Sequence, residues 1–140
     1  MNEAGFLARL MDLPLHRAAR GLTDDSALID AGAPVAGAVY APAYRKLYLA
    51  GEGQAEAVVI DVRGEPLERR AIRTRETEAP PVAIASRSHN SPRTGEYLSG
   101  LGTDCFQSIG SSLKFCMLAE GGADVYPRFT RTMQWDTAAG

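Results

Sequence analysis

Three stretches of this chain put anion-binding residue types where a folded sheet gathers its ligands. Ser86-Arg87-Ser88-His89 joins hydroxyls, a guanidinium and an imidazole directly after the apolar run that begins at Val82. At the carboxyl end of a strand such a set suits an anion, though by itself it reads as readily as an ordinary polar loop. Gly110-Ser111-Ser112-Leu113-Lys114 pairs a glycine, which lets a ligand approach the backbone, with the N–H groups of a helix start and a lysine one turn in. It is not a Walker A loop, which needs Gly-x-x-x-x-Gly-Lys-Ser/Thr, and a capped helix with a surface lysine fits the same residues. The third stretch is Tyr126-Pro127-Arg128, followed by Trp135-Asp136-Thr137. Asp136 is either a helix cap or a hard oxygen ligand for magnesium.

The elements that would position these residues change character along the chain. Residues 4 to 20 space apolar side chains as a short amphipathic helix stopping near Pro14. From Ala27 the pattern is one of closely spaced strands: Ala27–Ile29, Val35–Ala41, Lys46–Ala50 and Ala57–Val62, an antiparallel meander. Residues 63 to 81, polar and ending in Ala79-Pro80-Pro81, read as a linker. Beyond it, strands at 82–86, 105–109 and 123–126 alternate with helices from Ser91-Pro92 to about Leu101 and from Leu113 to Glu120. That order predicts an α/β (α+β layered) fold, a mixed sheet with packed helices. Asp136 and the small residues after it look like a helix start without its body.

Bulk properties narrow the function classes. With 140 residues the chain is in the range of one domain, and 45% apolar with 23% charged residues is ordinary for a globular protein. A net charge of −2 gives no electrostatic footprint for nucleic acid. No apolar run approaches the ~18 residues of a membrane helix, and Glu3, Arg9 and Asp12 break up the amino terminus as a secretory signal. Cys105 and Cys116 are the only cysteines and have no zinc-like spacing. They read as reduced thiols, and the expected compartment is the cytoplasm, without excluding peripheral association with the inner membrane face.

Taken together, Ile109-Gly-Ser-Ser-Leu-Lys-Phe-Cys116, Ala119-Glu-Gly-Gly-Ala-Asp-Val-Tyr-Pro-Arg128 and Trp135-Asp-Thr-Ala-Ala-Gly140 resemble the carboxy-terminal signature of the magnesium-dependent bisphosphate nucleotidases of the inositol monophosphatase superfamily. Ala27-Leu-Ile and Val39-Tyr-Ala-Pro42 resemble central strands of that family, and Ala85-Ser-Arg-Ser-His89 its nucleotide loop. The resemblance runs from about residue 27 to 140. It implies the carboxy-terminal portion of an inositol monophosphatase-like sugar-phosphatase fold, divided into an unmatched segment 1–26, central antiparallel strands over 27–78 and a nucleotide-site α/β segment over 79–140. It also implies Mg²⁺ as cofactor and a bisphosphate nucleotide as small-molecule partner, with hydrolysis of 3′-phosphoadenosine 5′-phosphate to AMP. Position by position, Asp136 would coordinate magnesium and orient the substrate. Ser111 and Lys114 would hold the nucleotide, with Gly110 admitting its backbone. His89 would contact the adenosine portion or its phosphate, and Arg128 would support the anion.

The family pattern also includes a Glu-Glu pair and an Asp-Pro-Leu-Asp-Gly-Thr loop, whose carboxylates hold the metals for an in-line displacement. Asp12-Leu-Pro-Leu15 is not that loop, and Thr23-Asp24-Asp25 has no Gly-Thr after it. The sequence therefore leads to a nucleotidase chain shortened at both ends. A non-catalytic nucleotide-binding chain, an inositol-phosphate phosphatase and a chain without stable function are the competing expectations. Oligomeric state is not legible.

Overall fold

The computed structural model describes residues 23–77, 79–85, 91–103 and 106–140. The expected helix within residues 4–20, the Ser86–His89 loop and Cys105 lie outside them. Five strands, β1 (Asp24–Asp30), β2 (Ala33–Ala41), β3 (Lys46–Gly51), β4 (Gln54–Ile60) and β5 (Pro66–Ala71), form one sheet in chain order, every pair antiparallel. The β1–β2 hairpin turns on Ala31 and Gly32 (φ 47° and 83°), the β3–β4 hairpin on Glu52 and Gly53 (φ 50° and 75°). Positive φ at both central residues marks the turn whose twist matches the flanking strands. Between β4 and β5, the Asp61 carboxylate accepts from the Arg63 and Glu65 amides at 2.7 and 2.9 Å.

The first four strands agree with the sequence reading, and β5 corrects it. The expected linker over 63–81 contains a strand whose residues are all exposed. Pro-Leu-Glu-Arg-Arg-Ala shows no apolar alternation because an edge strand with both faces wet needs none. It is held by its ladder to β4 and by charge, Arg69 to Glu56 and Arg70 to Glu120. Proline at its first residue and charges along it are how edges resist further pairing.

The second layer alternates as expected. β6 (Ala83–Ala85) and β7 (Phe106–Ser108) are parallel and joined through α1 (Pro92–Gly100), whose amino end is capped by Ser91. The strand expected over 123–126 is reduced to a single parallel bridge, Ala83 to Val125. α2 (Leu113–Ala119) ends in a Schellman motif. Gly121 N–H donates to Leu118 O at 3.0 Å and Gly122 N–H to Met117 O at 2.8 Å, with Gly121 at φ 77°. The helix start read at Asp136 is one 3-10 turn, Gln134–Asp136. Among the described residues no helix is long and apolar enough to cross a membrane.

Strand alternation splits the core. One face of the meander presents Val39, Ala41, Tyr48 and Ala57 to Leu113 and Cys116 of α2, with Ile109, Met117 and Ala139 packed beside them. The other face carries Tyr40, Leu47, Val58 and Ile60. Cys116 is a buried free thiol, its pKa pushed up to about 12 by burial and then by the nearby Asp25 and Glu120 carboxylates. It behaves as a small core residue rather than a nucleophile.

The carboxy-terminal stretch lies across the α2-facing side of the sheet. A Cβ on Gly37 of β2 would meet the Ala139 carbonyl far inside contact distance, and one on Gly140 would fall 2.8 Å from the Phe115 side chain. Asp124 ties the two layers together. Its carboxylate is 1% exposed, accepts a forked pair from Arg75 at 2.8 and 2.6 Å, and takes the Val82 amide at 2.6 Å. The Arg75 hydrogen bond is the main cause that holds the Asp124 pKa down to about 2, against the opposing effect of burial.

Two outcomes follow. Gly37→Ala should destabilise the chain by about 1–3 kcal/mol in urea unfolding. Unchanged stability would mean that Ala139 is not seated on β2. Because the folded pKa of Asp124 is depressed, its stabilisation is complete above the unfolded value of about 4 and drains as pH falls towards about 2. The melting temperature should drop steeply through that window, and Asp124→Asn should flatten the drop while lowering stability at neutral pH.

Candidate functional site

The loop 109–112 and α2 form one side of the site. α2 is laid down by Leu113, Cys116 and Met117, whose helical spacing faces the meander. Its outer end is fixed by Glu120, which accepts from Lys46 Nζ at 2.6 Å, Arg70 Nη2 at 2.7 Å and Tyr48 Oη at 3.0 Å. Burial and the adjoining Glu120 carboxylate raise the Tyr48 pKa, so its hydroxyl stays a donor. The inner end is tied to β1. Thr23 Oγ1 meets Ser111 Oγ closely and Ser112 Oγ at 2.6 Å, and Ser112 Oγ donates to Asp25 Oδ2. The turn into the helix puts Ser111 at φ 58°, a left-handed conformation uncommon outside glycine.

Lys114, the second residue of α2, is buried rather than on the surface. Its ammonium curls back to donate to Ser111 O at 2.6 Å and Ile109 O at 3.3 Å, and lies 5.2 Å from the centre of the Tyr126 ring. Burial lowers its pKa, and the neighbouring Arg128 guanidinium lowers it further. Arg128 donates from Nη1 to Tyr126 Oη at 3.2 Å, and its buried Nε has no acceptor among the described residues. Tyr126 also packs edge-on against Phe115, centroids 5.5 Å apart. Two cations thus share one tyrosine, and among the described residues neither is paired with a carboxylate. Such a pair attracts an anion, because like charges brought together out of water need a counter-charge.

Of the residues read from sequence, Lys114, Arg128 and the Gly110-Ser111 loop come together here. Asp136 is exposed on its 3-10 turn, and among the described residues its carboxylate makes no hydrogen bond or ion pair. It shares the neighbourhood only through its own segment, whose Gly140 abuts Phe115. His89 lies outside the described residues. The sequence assigned no role to Tyr126, to Glu120 or to the Thr23 and Asp25 contacts with the α2 entrance. Tyr126 was the legible one, being two residues from Arg128 on an extended segment and therefore on the same side. Nothing in the sequence marks the contacts of Thr23, which span 88 and 89 positions.

Magnesium wants several hard oxygen ligands. Among the described residues no group of three or more His, Cys, Asp or Glu side chains stands close enough to hold a metal. Asp25, the carboxylate at the entrance of α2, is engaged by Ser112. The described residues therefore do not fit a magnesium centre, and Asp136 would be at most one of its ligands.

Residues 27–140 match the model of the inositol monophosphatase family. Over 118 residues the chain is 48% identical to the 3′(2′),5′-bisphosphate nucleotidases CysQ of Salmonella typhimurium and Escherichia coli, covering 84% of this chain and 45% of each relative. In three dimensions it is similar to CysQ from Bacteroides thetaiotaomicron, with a TM-score of 0.71 and 35% identity over 86% of this chain and 49% of the other. Mycobacterium tuberculosis SuhB superposes with a TM-score of 0.67 at 26% identity, over 86% of this chain and 49% of its own length. The chain thus spans about half the length of the relatives it matches.

If the cation pair is an anion site, inorganic phosphate at low ionic strength should raise the melting temperature by a few degrees. Arg128→Gln and Lys114→Met should each abolish the rise. Lys114→Met should not itself destabilise strongly, since a buried ammonium is costly to keep. An undiminished response in both variants would place the anion elsewhere.

Proposed function

The chain belongs to the inositol monophosphatase family, and on that footing we propose that it carries the nucleotide-binding face of a magnesium-dependent phosphatase. The substrate class is a 3′(2′),5′-bisphosphate nucleotide, and the reaction hydrolyses 3′-phosphoadenosine 5′-phosphate with water to AMP and phosphate. The observation that carries this reading is the pairing of Lys114 with Arg128 around Tyr126, with no carboxylate between them and an unpartnered guanidinium N–H among the described residues. The identity to the CysQ nucleotidases supports a nucleotide in preference to an inositol phosphate.

In this reading Lys114 and Arg128 supply fixed positive charge to the nucleotide phosphates, the electrostatic part of phosphoryl-transfer catalysis. Gly110 and Ser111 form the wall against which the ligand lies. His89 adds a contact to the adenosine portion or its phosphate, and Asp136 would supply one of the several hard oxygen ligands a magnesium centre needs. A cytoplasmic setting, with the nucleotide pool, fits this reading.

A second reading is favoured by the absence of a carboxylate cluster among the described residues: this chain binds the nucleotide without turning it over. One sample separates the two. The purified, folded 140-residue chain is given Mg²⁺ and 3′-phosphoadenosine 5′-phosphate, beside Asp136→Asn, and both phosphate release and binding are measured. Binding with negligible release is the expected result for this chain by itself. Robust turnover that Asp136→Asn abolishes would establish a complete catalytic site instead. Failure to bind would remove the nucleotide from both readings.

A further inference from the structure

We propose that Tyr126 is a positioning residue for anion recognition, holding Lys114 at its ring face and Arg128 at its hydroxyl so that both cations address one bisphosphate ligand. The proposal rests on the nucleotide-binding reading above and deepens it. Two like charges in a partly buried site repel, and each long side chain has ample rotamer freedom to leave. Something has to hold them, and among the described residues no carboxylate does.

Tyr126 is built for that task at three points. Its ring lies 5.2 Å from the Lys114 ammonium, inside the range where the π face attracts a cation. Its hydroxyl accepts from Arg128 Nη1 at 3.2 Å. That contact leaves the remaining guanidinium donors for an anion, while Nε is the one buried polar side-chain atom without a partner among the described residues. The ring itself cannot swing away. Phe115 packs edge-on against it at 5.5 Å, and Gly140 closes on Phe115 from behind. The preceding residue is pinned to β6, where Ile84 N–H donates to Val125 O at 2.9 Å and Val125 N–H to Val82 O at 3.3 Å. Burial is the larger cause of the lowered Lys114 pKa, and the Arg128 guanidinium held close by lowers it further.

The deciding substitution is Tyr126→Phe, which keeps the ring, the Phe115 packing and the Lys114 contact, and removes only the acceptor for Arg128. The full chain, wild type and variant, is titrated calorimetrically with adenosine 3′,5′-bisphosphate. In parallel, the Lys114 side chain is followed by NMR as pH is raised, without ligand. Expected are a melting temperature close to wild type, a three- to tenfold loss of affinity from one lost hydrogen bond, and a Lys114 titration moved upward as Arg128 is released. Arg128→Gln, which removes the guanidinium, should move the Lys114 titration in the same direction and further. Unchanged affinity, or an unmoved Lys114 titration, in Tyr126→Phe overturns the positioning role. Wild type that binds no bisphosphate overturns the nucleotide reading and the recognition role with it, whereas a Lys114 titration unmoved in a chain that does bind overturns the positioning alone.

Discussion

The burial of α2 against the meander is the contact on which the rest of the site depends. Leu113 and Cys116 sink into the face made by Val39, Tyr48 and Ala57, and a helix of two turns has little stability without such packing. Both ends are then closed by polar contacts from distant strands. Glu120 takes three donors from β3 and β5 at one end, and Thr23 and Asp25 hold Ser111 and Ser112 at the other. On the helix so fixed, Lys114 turns inward beside its own loop carbonyls instead of out to water.

That placement is unfavourable for a cation taken by itself. Burying an ammonium costs several kcal/mol unless polar groups replace its water. Two carbonyls and a tyrosine face offset part of this cost, while a neighbouring guanidinium adds to it. Four other described cations, Lys46, Arg69, Arg70 and Arg75, meet carboxylates, which is the ordinary structural use of charge. Lys114 and Arg128 are concentrated instead beside one aromatic ring, and among the described residues no carboxylate pairs with either. Local unfavourable electrostatics of this kind mark functional positions more often than structural ones.

The small residues of the carboxy-terminal motif have a geometric reason. Ala139 reaches the sheet only because Gly37 has no side chain, and Gly140 reaches Phe115 only because it has none itself. Phe115 in turn abuts Tyr126. The motif residues that carry the family resemblance thus form one contiguous stack from β2 through the chain's last residues to the cation pair. Asp136 belongs to this stack by backbone continuity, and its carboxylate stands clear of it.

Local chemistry alone determined a good deal here. Alternating strands with Gly-bearing turns specified the meander, because two-residue turns at positive φ have a short sequence signature. Ser91-Pro92 and Gly121-Gly122 likewise delimited the two helices through caps that involve only neighbouring residues. The motifs also sufficed to recognise the family and to single out Lys114 and Arg128. Three features were decided by tertiary structure. β5 forms because β4 offers a ladder and Glu56 and Glu120 offer charge, none of which its own exposed residues announce. Lys114 is buried because α2 docks with that side inward, whereas its neighbours alone describe a surface lysine as well. Tyr126 becomes the meeting point of two cations through Phe115 and the β6 bridge, contacts between residues far apart in the chain. Spacing along a sequence encodes turns, caps and faces. Which distant groups share a low-dielectric space depends on how those faces pack.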